Sequence, residues 1–132
     1  MMTKILATQF FDERIATLFP EQFDIISEDV EQMARHCNRL NEGQIIILTK
    51  NRSINAAART LADKVKDKTI LLVSLENSPE SEDVSSLMNL GAAIAFAQTL
   101  SLGIYIIHNN KYYYWNEIVM ETDKNYLSQA VA

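Results

Sequence analysis

"QIIILTKNRSINAAARTLADKVKDKTILLVSL", residues 44–75, decides the fold class of this chain. It opens with an apolar run, "QIIILT" (44–49), and closes with another, "TILLVSL" (69–75). Such continuous runs suit strands buried on both faces, as in parallel sheets. Between them, "SINAAARTLADKVKD" (53–67) has the length and spacing of a helix. Parallel neighbours need a crossover of a dozen or more residues, and this stretch supplies one.

The same alternation extends outward. "KILAT" (4–8) reads as a first strand, "DERIATLF" (12–19) as a short helix ended by Pro20, and "FDIIS" (23–27) as a second strand. "EDVEQMARHCNRLNEG" (28–43) reads as a helix whose Val30, Met33, Cys37 and Leu40 form one apolar stripe, with Gly43 as its C-terminal cap. After residue 75 come an acidic loop, "ENSPESEDV", and an apolar helix, "SSLMNLGAAIAFAQ" (85–98). "GIYIIH" (103–108) is a fifth strand. The tail is expected to hold a short extended piece and a terminal helix, "DKNYLSQAV" (123–131). The expected fold is α/β: a single doubly wound domain over residues 1–132, with a five-stranded, mostly parallel sheet and helices on both faces through right-handed crossovers.

Composition narrows the function classes. The formal net charge of -5 disfavours nucleic acid as the main partner, because phosphate binding rests on clustered Lys and Arg. The locally basic stretch from Lys50 to Lys68 is interrupted by Asp63 and Asp67 and reads as a solvated helix face. One cysteine, Cys37, permits no intrachain disulfide and fits a cytoplasmic location. His36 and His108 lack zinc-like spacing with it, so no metal site is expected. No signal peptide is evident, and no apolar run is long enough for a membrane span. Three glycines, at 43, 91 and 103, exclude a P-loop and a dinucleotide GxGxxG loop, so no cofactor is expected.

Ligands of open α/β sheets bind outside the carboxyl ends of the strands. That edge collects Thr8, Gln9, Phe10 and Phe11; Thr49 to Arg52; Glu76 to Ser86; and His108, Asn109 and Asn110. The helix at 85–98 begins there, so its free N–H groups face the same crevice. Asp83, Ser85 and Ser86 are its capping candidates, and Asn89 lies one turn in. Asn89 serves either a ligand or a structural hydrogen bond. Receiver-type chemistry is a poor fit, because Thr8-Gln9 and Thr49-Lys50 stand where acidic residues would be needed. His36 and Cys37 are helix neighbours and do not face each other, which leaves Cys37 as a core residue.

The stretches "ILATQFF", "ILLVSLENSPESEDVSSLMNLGAAIAFAQTLSLGIYII" and "HNNKYYYWNEIVMETDKNYLSQAV" resemble the opening turn, central block and aromatic C-terminal segment of the nucleoside 2-deoxyribosyltransferase family. The resemblance touches about half of the chain through loose motifs. It implies an enzyme that cleaves an N-glycosidic bond and passes the sugar to another base through a Glu nucleophile. A carboxylate suits that role because the transition state is oxocarbenium-like. The family's Glu falls on Asn89, its Ser-Gly-Thr loop on Val84, Ser85 and Ser86, and its acidic residue after strand four on Glu76. Its Gly-Pro turn falls on Thr8 and Gln9, so that turn differs too.

A neutral amide at 89 is a poor nucleophile and does not stabilise cationic charge as a carboxylate does. The leading expectation is therefore binding of a nucleoside, nucleotide or related ribosylated ligand by Gln9, Phe10, Phe11, Ser85, Ser86, Asn89 and His108, without transfer. The alternative is an N-glycosidic hydrolase or transferase using Glu76 or Asp83 as its acid. A third reading is a protein-interaction module built on Tyr112, Tyr113, Tyr114 and Trp115, a cluster that also suits packing inside the domain. The resemblance further implies a homo-oligomer.

Overall fold

The computed structural model describes residues 3–8, 22–49, 54–74, 82–108, 111–121 and 126–129, with side chains at 3–8, 22–49, 54–73, 88–108 and 111–117. The strands are β1 (Thr3–Ala7), β2 (Phe23–Ile25), β3 (Gln44–Thr49), β4 (Thr69–Ser74), β5 (Gly103–His108), β6 (Lys111–Tyr114), β7 (Ile118–Glu121) and β8 (Tyr126–Gln129). The helices are α1 (Val30–Arg39), α2 (Ile54–Lys64) and α3 (Glu82–Ala97). The expected helix at 12–19 lies outside the described residues.

The α/β class holds, with one more strand than expected. Six strands form one sheet in the order β2-β1-β3-β4-β5-β6. The first five are parallel; β6 returns antiparallel along β5, with His108 opposite Lys111. β7 and β8 form a separate antiparallel pair, Ile118 opposite Gln129. That pair corrects the terminal helix expected at 123–131. Residues 126–129 meet their backbone hydrogen bonds through a strand partner eight positions upstream, and so do not need an internal helical ladder.

Alternation within each central strand builds two cores. Ile45, Ile47, Ile70, Leu72, Ile104 and Ile106 face α1 and α2, meeting Met33, Cys37, Ile54, Ala58 and Leu61. Ile46, Leu48, Leu71, Val73, Tyr105 and Ile107 face α3, meeting Leu90, Ala93 and Ala97. Each fully buried Ile or Leu contributes about 1.5–3 kcal/mol of transfer free energy. The aromatic run divides between the faces. Tyr113 and Trp115 pack against the α1–α2 core, while Tyr112 and Tyr114 stay exposed beside Tyr105.

Helices do cover both faces, but not by the expected uniform hand. The connections β2–α1–β3, β3–α2–β4 and β4–α3–β5 all step in one direction along the sheet. α1 and α2 lie on one face and α3 on the other. Two crossovers that step the same way over opposite faces have opposite hands. The α3 crossover therefore has the opposite hand to the other two, whereas about 98% of parallel units share one hand.

Local chemistry also moves the helix ends. α1 begins at its N-cap Asp29, whose carboxylate accepts from the Glu31 N–H at 2.9 Å. It ends at Arg39, with Leu40 already extended at φ −76° and ψ 146°. Gly43 is therefore not the cap; its carbonyl accepts from the Thr69 N–H at 2.8 Å. The Lys68 ammonium holds this exit instead, donating to the Leu40 and Glu42 carbonyls at 2.8 Å each.

Candidate functional site

All four strands β1, β3, β4 and β5 end at one edge of the sheet, because they are parallel. The chain order reverses between β1 and β3: β2 lies outside β1, and β3 begins the run in the other direction. Two threonines stand there. Thr8 follows β1 and Thr49 ends β3; their exposures are 8% and 0%. The Thr8 N–H donates to the Leu48 carbonyl at 3.0 Å, which carries the pairing one residue beyond β1. The Thr8 hydroxyl lies 3.5 Å from that of Thr49, a long and therefore weak bond.

The opposite hand of the α3 crossover adds a second divergence. From β3 the chain proceeds to α2 on one face, and from β4 to α3 on the other. Two amides lie on the helices that leave these strands: Asn55 in the first turn of α2 and Asn89 on α3, both half-buried. Thr49, Asn55, Asn89 and His108 each take part in a further interaction, so none of them is idle. Asn55 was not among the expected residues. Its signal was its place, six residues past the end of β3 and within the first turn of the next helix.

The structure sorts the remaining expectations. α3 starts at Glu82, three residues earlier than the expected 85, so Asn89 sits about two turns in rather than one. Asp83, Ser85 and Ser86 are then helical residues, not caps, because an N-cap has non-helical backbone angles. Helix formation simply begins within the acidic stretch, where carboxylates favour the positive end of the dipole. Gln9, Phe10, Phe11 and Glu76 lie outside the described residues, as do the side chains of Asp83, Ser85 and Ser86. His108 ends β5, two strands from β3, which puts it on the order of 10 Å from Thr49 along the sheet.

Away from this edge, Cys37 is fully buried in the α1–α2 core, as its place on the apolar stripe implies. Burial pushes its thiol up from 9.0 to about 12, although the Lys68 charge pulls the other way. It is inert at neutral pH. Its neighbour His36 is half-buried, with Nε2 enclosed and lacking a hydrogen-bond partner. Among the described residues no cluster of His, Cys, Asp and Glu could hold a metal ion. Among them, too, no helix is long and apolar enough to cross a membrane.

These features define an open, doubly wound α/β domain with the buried, polar Thr8 and Thr49 at its strand reversal. No protein-family model matches the chain, and no curated protein matches its sequence.

Proposed function

We propose that this domain binds a nucleoside, nucleotide or related ribosylated ligand at the carboxyl edge of the sheet, without glycosyl transfer. The observation that carries the reading is the buried pair Thr8 and Thr49 at the β1/β3 reversal. Open α/β sheets bind ligands at such reversals. Hydroxyls and amides suit a sugar, whose own hydroxyls both donate and accept. The resemblance to nucleoside 2-deoxyribosyltransferases supplies the ligand class. Asn89, where that resemblance places the catalytic Glu, supplies the argument against turnover: an amide neither attacks an anomeric carbon nor offsets its positive charge.

The test is a thermal-shift panel of nucleosides, nucleotides and NAD-derived compounds, paired with an assay for released base. A ligand at 100 times its Kd stabilises the folded state by about 2.7 kcal/mol, which raises Tm by several degrees. The expected result is such a shift with at least one compound, weakened in Asn89→Ala and Thr49→Val, and no released base. A flat panel at millimolar concentrations refutes binding. Release of base that is lost in Glu76→Gln or Asp83→Asn refutes the non-catalytic half of the reading.

A further inference from the structure

The edge of the sheet at β6 can be read residue by residue. In an antiparallel pair, opposite residues alternate between exchanging both of their backbone hydrogen bonds and exchanging neither. The Trp115 N–H donates to the Ile104 carbonyl at 3.0 Å, so 115 and 104 are a bonded pair. By the same alternation Tyr113–Ile106 and Lys111–His108 are bonded pairs. Tyr112 and Tyr114 fall between them, so their N–H and C=O groups point away from β5. The Gly103 N–H supports this phase. It donates to the Lys68 carbonyl on the β4 side, the side to which Tyr105 and Ile107 then also turn their backbone groups.

The two outward residues differ. At Tyr114 both groups are used in a tight turn. Its N–H donates to Glu117 Oε1 at 2.8 Å, and its carbonyl accepts from the Glu117 N–H at 2.9 Å. At Tyr112 no strand among the described residues pairs with the edge. The side chains are open too: Tyr112 and Tyr114 are 48% and 38% exposed. Opposite Ile107 and Tyr105, they stand on the α3 face, where Tyr112 meets Phe96 edge-on at 5.0 Å. Charge on this side has one sign. From Val84 to Asn110 the chain has no Asp, Glu, Lys or Arg. Lys111 alternates to the other face with Tyr113 and Trp115. That leaves the exposed Glu117 carboxylate, which makes no ion pair among the described residues.

We propose that the free edge of β6 docks an extended segment of a partner protein that carries arginine. The segment pairs antiparallel with Tyr112 through both of its free backbone groups, as peptides do when they add a strand to a sheet. Its arginine, opposite Tyr112, lies on the same face as both tyrosines. Tyr112 and Tyr114 are about 7 Å apart along the strand, within the reach of an arginine side chain. The guanidinium stacks on the Tyr114 ring and pairs with the Glu117 carboxylate. Charge complementarity selects this occupant. An acidic segment is repelled by Glu117 and by a chain of net charge -5, and a neutral one leaves the carboxylate unmatched. Arginine is preferred to lysine because its planar fork both stacks on a ring and matches a carboxylate. Glu117 also ends the pairing, since it occupies the backbone groups of Tyr114. The site therefore reads a single residue, and a short peptide binds weakly, with a Kd of about 1 mM.

The test is a titration of the isotope-labelled full chain with acetyl-Thr-Val-Arg-Val-Thr-amide to about 10 mM, followed by backbone amide chemical shifts. The expected result is a saturable shift centred on the Tyr112 and Tyr114 amides. It should be about fivefold weaker with Lys in place of the peptide's Arg and absent with Glu. Glu117→Gln keeps an oxygen for the Tyr114 N–H and removes the charge, so it should leave Tm unchanged and weaken the Arg peptide about fivefold. Tyr114→Leu should weaken it several-fold. Amide shifts that stay flat to the highest concentration overturn the proposal. So do equal affinities for the Arg and Glu peptides, or an affinity indifferent to Glu117→Gln. A Tyr112 shift that follows protein concentration alone puts a second copy on the edge and overturns it as well.

Discussion

Alkaline pH gives the most direct test of the α1–α2 core, through the single thiol buried in it. Cys37 has no exposed surface, and burial raises its thiol from 9.0 to about 12 against a partial pull from Lys68. The sign follows from which state ionises first. Below pH 9 the thiol is protonated in both folded and unfolded chains, so it adds no pH dependence. Between 9.0 and about 12 the unfolded thiol ionises while the folded one does not, and stability falls as pH rises. The limiting slope is about 1.4 kcal/mol per pH unit, and half-titration at the lower end reduces the loss to about 1 kcal/mol between pH 9 and 10. Tyrosines and lysines add their own alkaline effects, so the measurement is a difference between the wild type and Cys37→Ala. At pH 7.5 the variant is expected to be about 1 kcal/mol less stable because it leaves a small cavity. Urea unfolding followed by Trp115 fluorescence at pH 7.5, 9 and 10 should show that gap closing. A gap that stays constant to pH 10 would refute the burial argument, as would a native thiol that reacts with a disulfide reagent at pH 8 as fast as the unfolded chain does.

Three further substitutions test how the elements are held. Lys68→Met leaves the Leu40 and Glu42 carbonyls without their donor and is expected to cost about 1–3 kcal/mol in urea unfolding. Asp29→Ala removes the α1 cap and should cost about 1 kcal/mol, with Asp29→Asn recovering most of it. Gly103→Ala is expected to lower Tm by several degrees, since Gly103 has φ 152° and a new Cβ would lie 3.0 Å from Tyr114 Cε1. Gly43→Ala has neither problem and serves as the control that should leave Tm unchanged or slightly higher.

The strands that carry the core were readable because their chemistry is redundant. β3, β4 and β5 are apolar on both faces, so any shift in assignment would still bury them. β8 was not readable. Its four residues satisfy a helix about as well as a strand, and the choice was made by a partner at 118–121. The exit of α1 departs from the sequence expectation for a related reason: Gly43 is the locally obvious stop, but a lysine 28 residues downstream donates to the Leu40 carbonyl. The face chosen by α3 was hidden in its composition. A helix apolar on every side offers no stripe from which to infer what it packs against. The strand-end rule did bring Thr8 and Thr49 to one edge, whereas Asn55 depended on where α2 begins.

The ligand reading turns on the neutrality of Asn89, which is half-buried and next to Leu90, a residue that packs on the sheet. Asn89→Ala should reduce the ligand-induced thermal shift. Asn89→Glu restores the carboxylate that the family resemblance expects, so a base-release assay on that variant asks only whether the edge can support glycosidic chemistry. If the edge binds a ribosylated ligand with its anomeric carbon within reach of position 89, the variant should release base slowly from it. Retained binding with no release would place the anomeric carbon out of reach of position 89, and would break the link between the resemblance and the site.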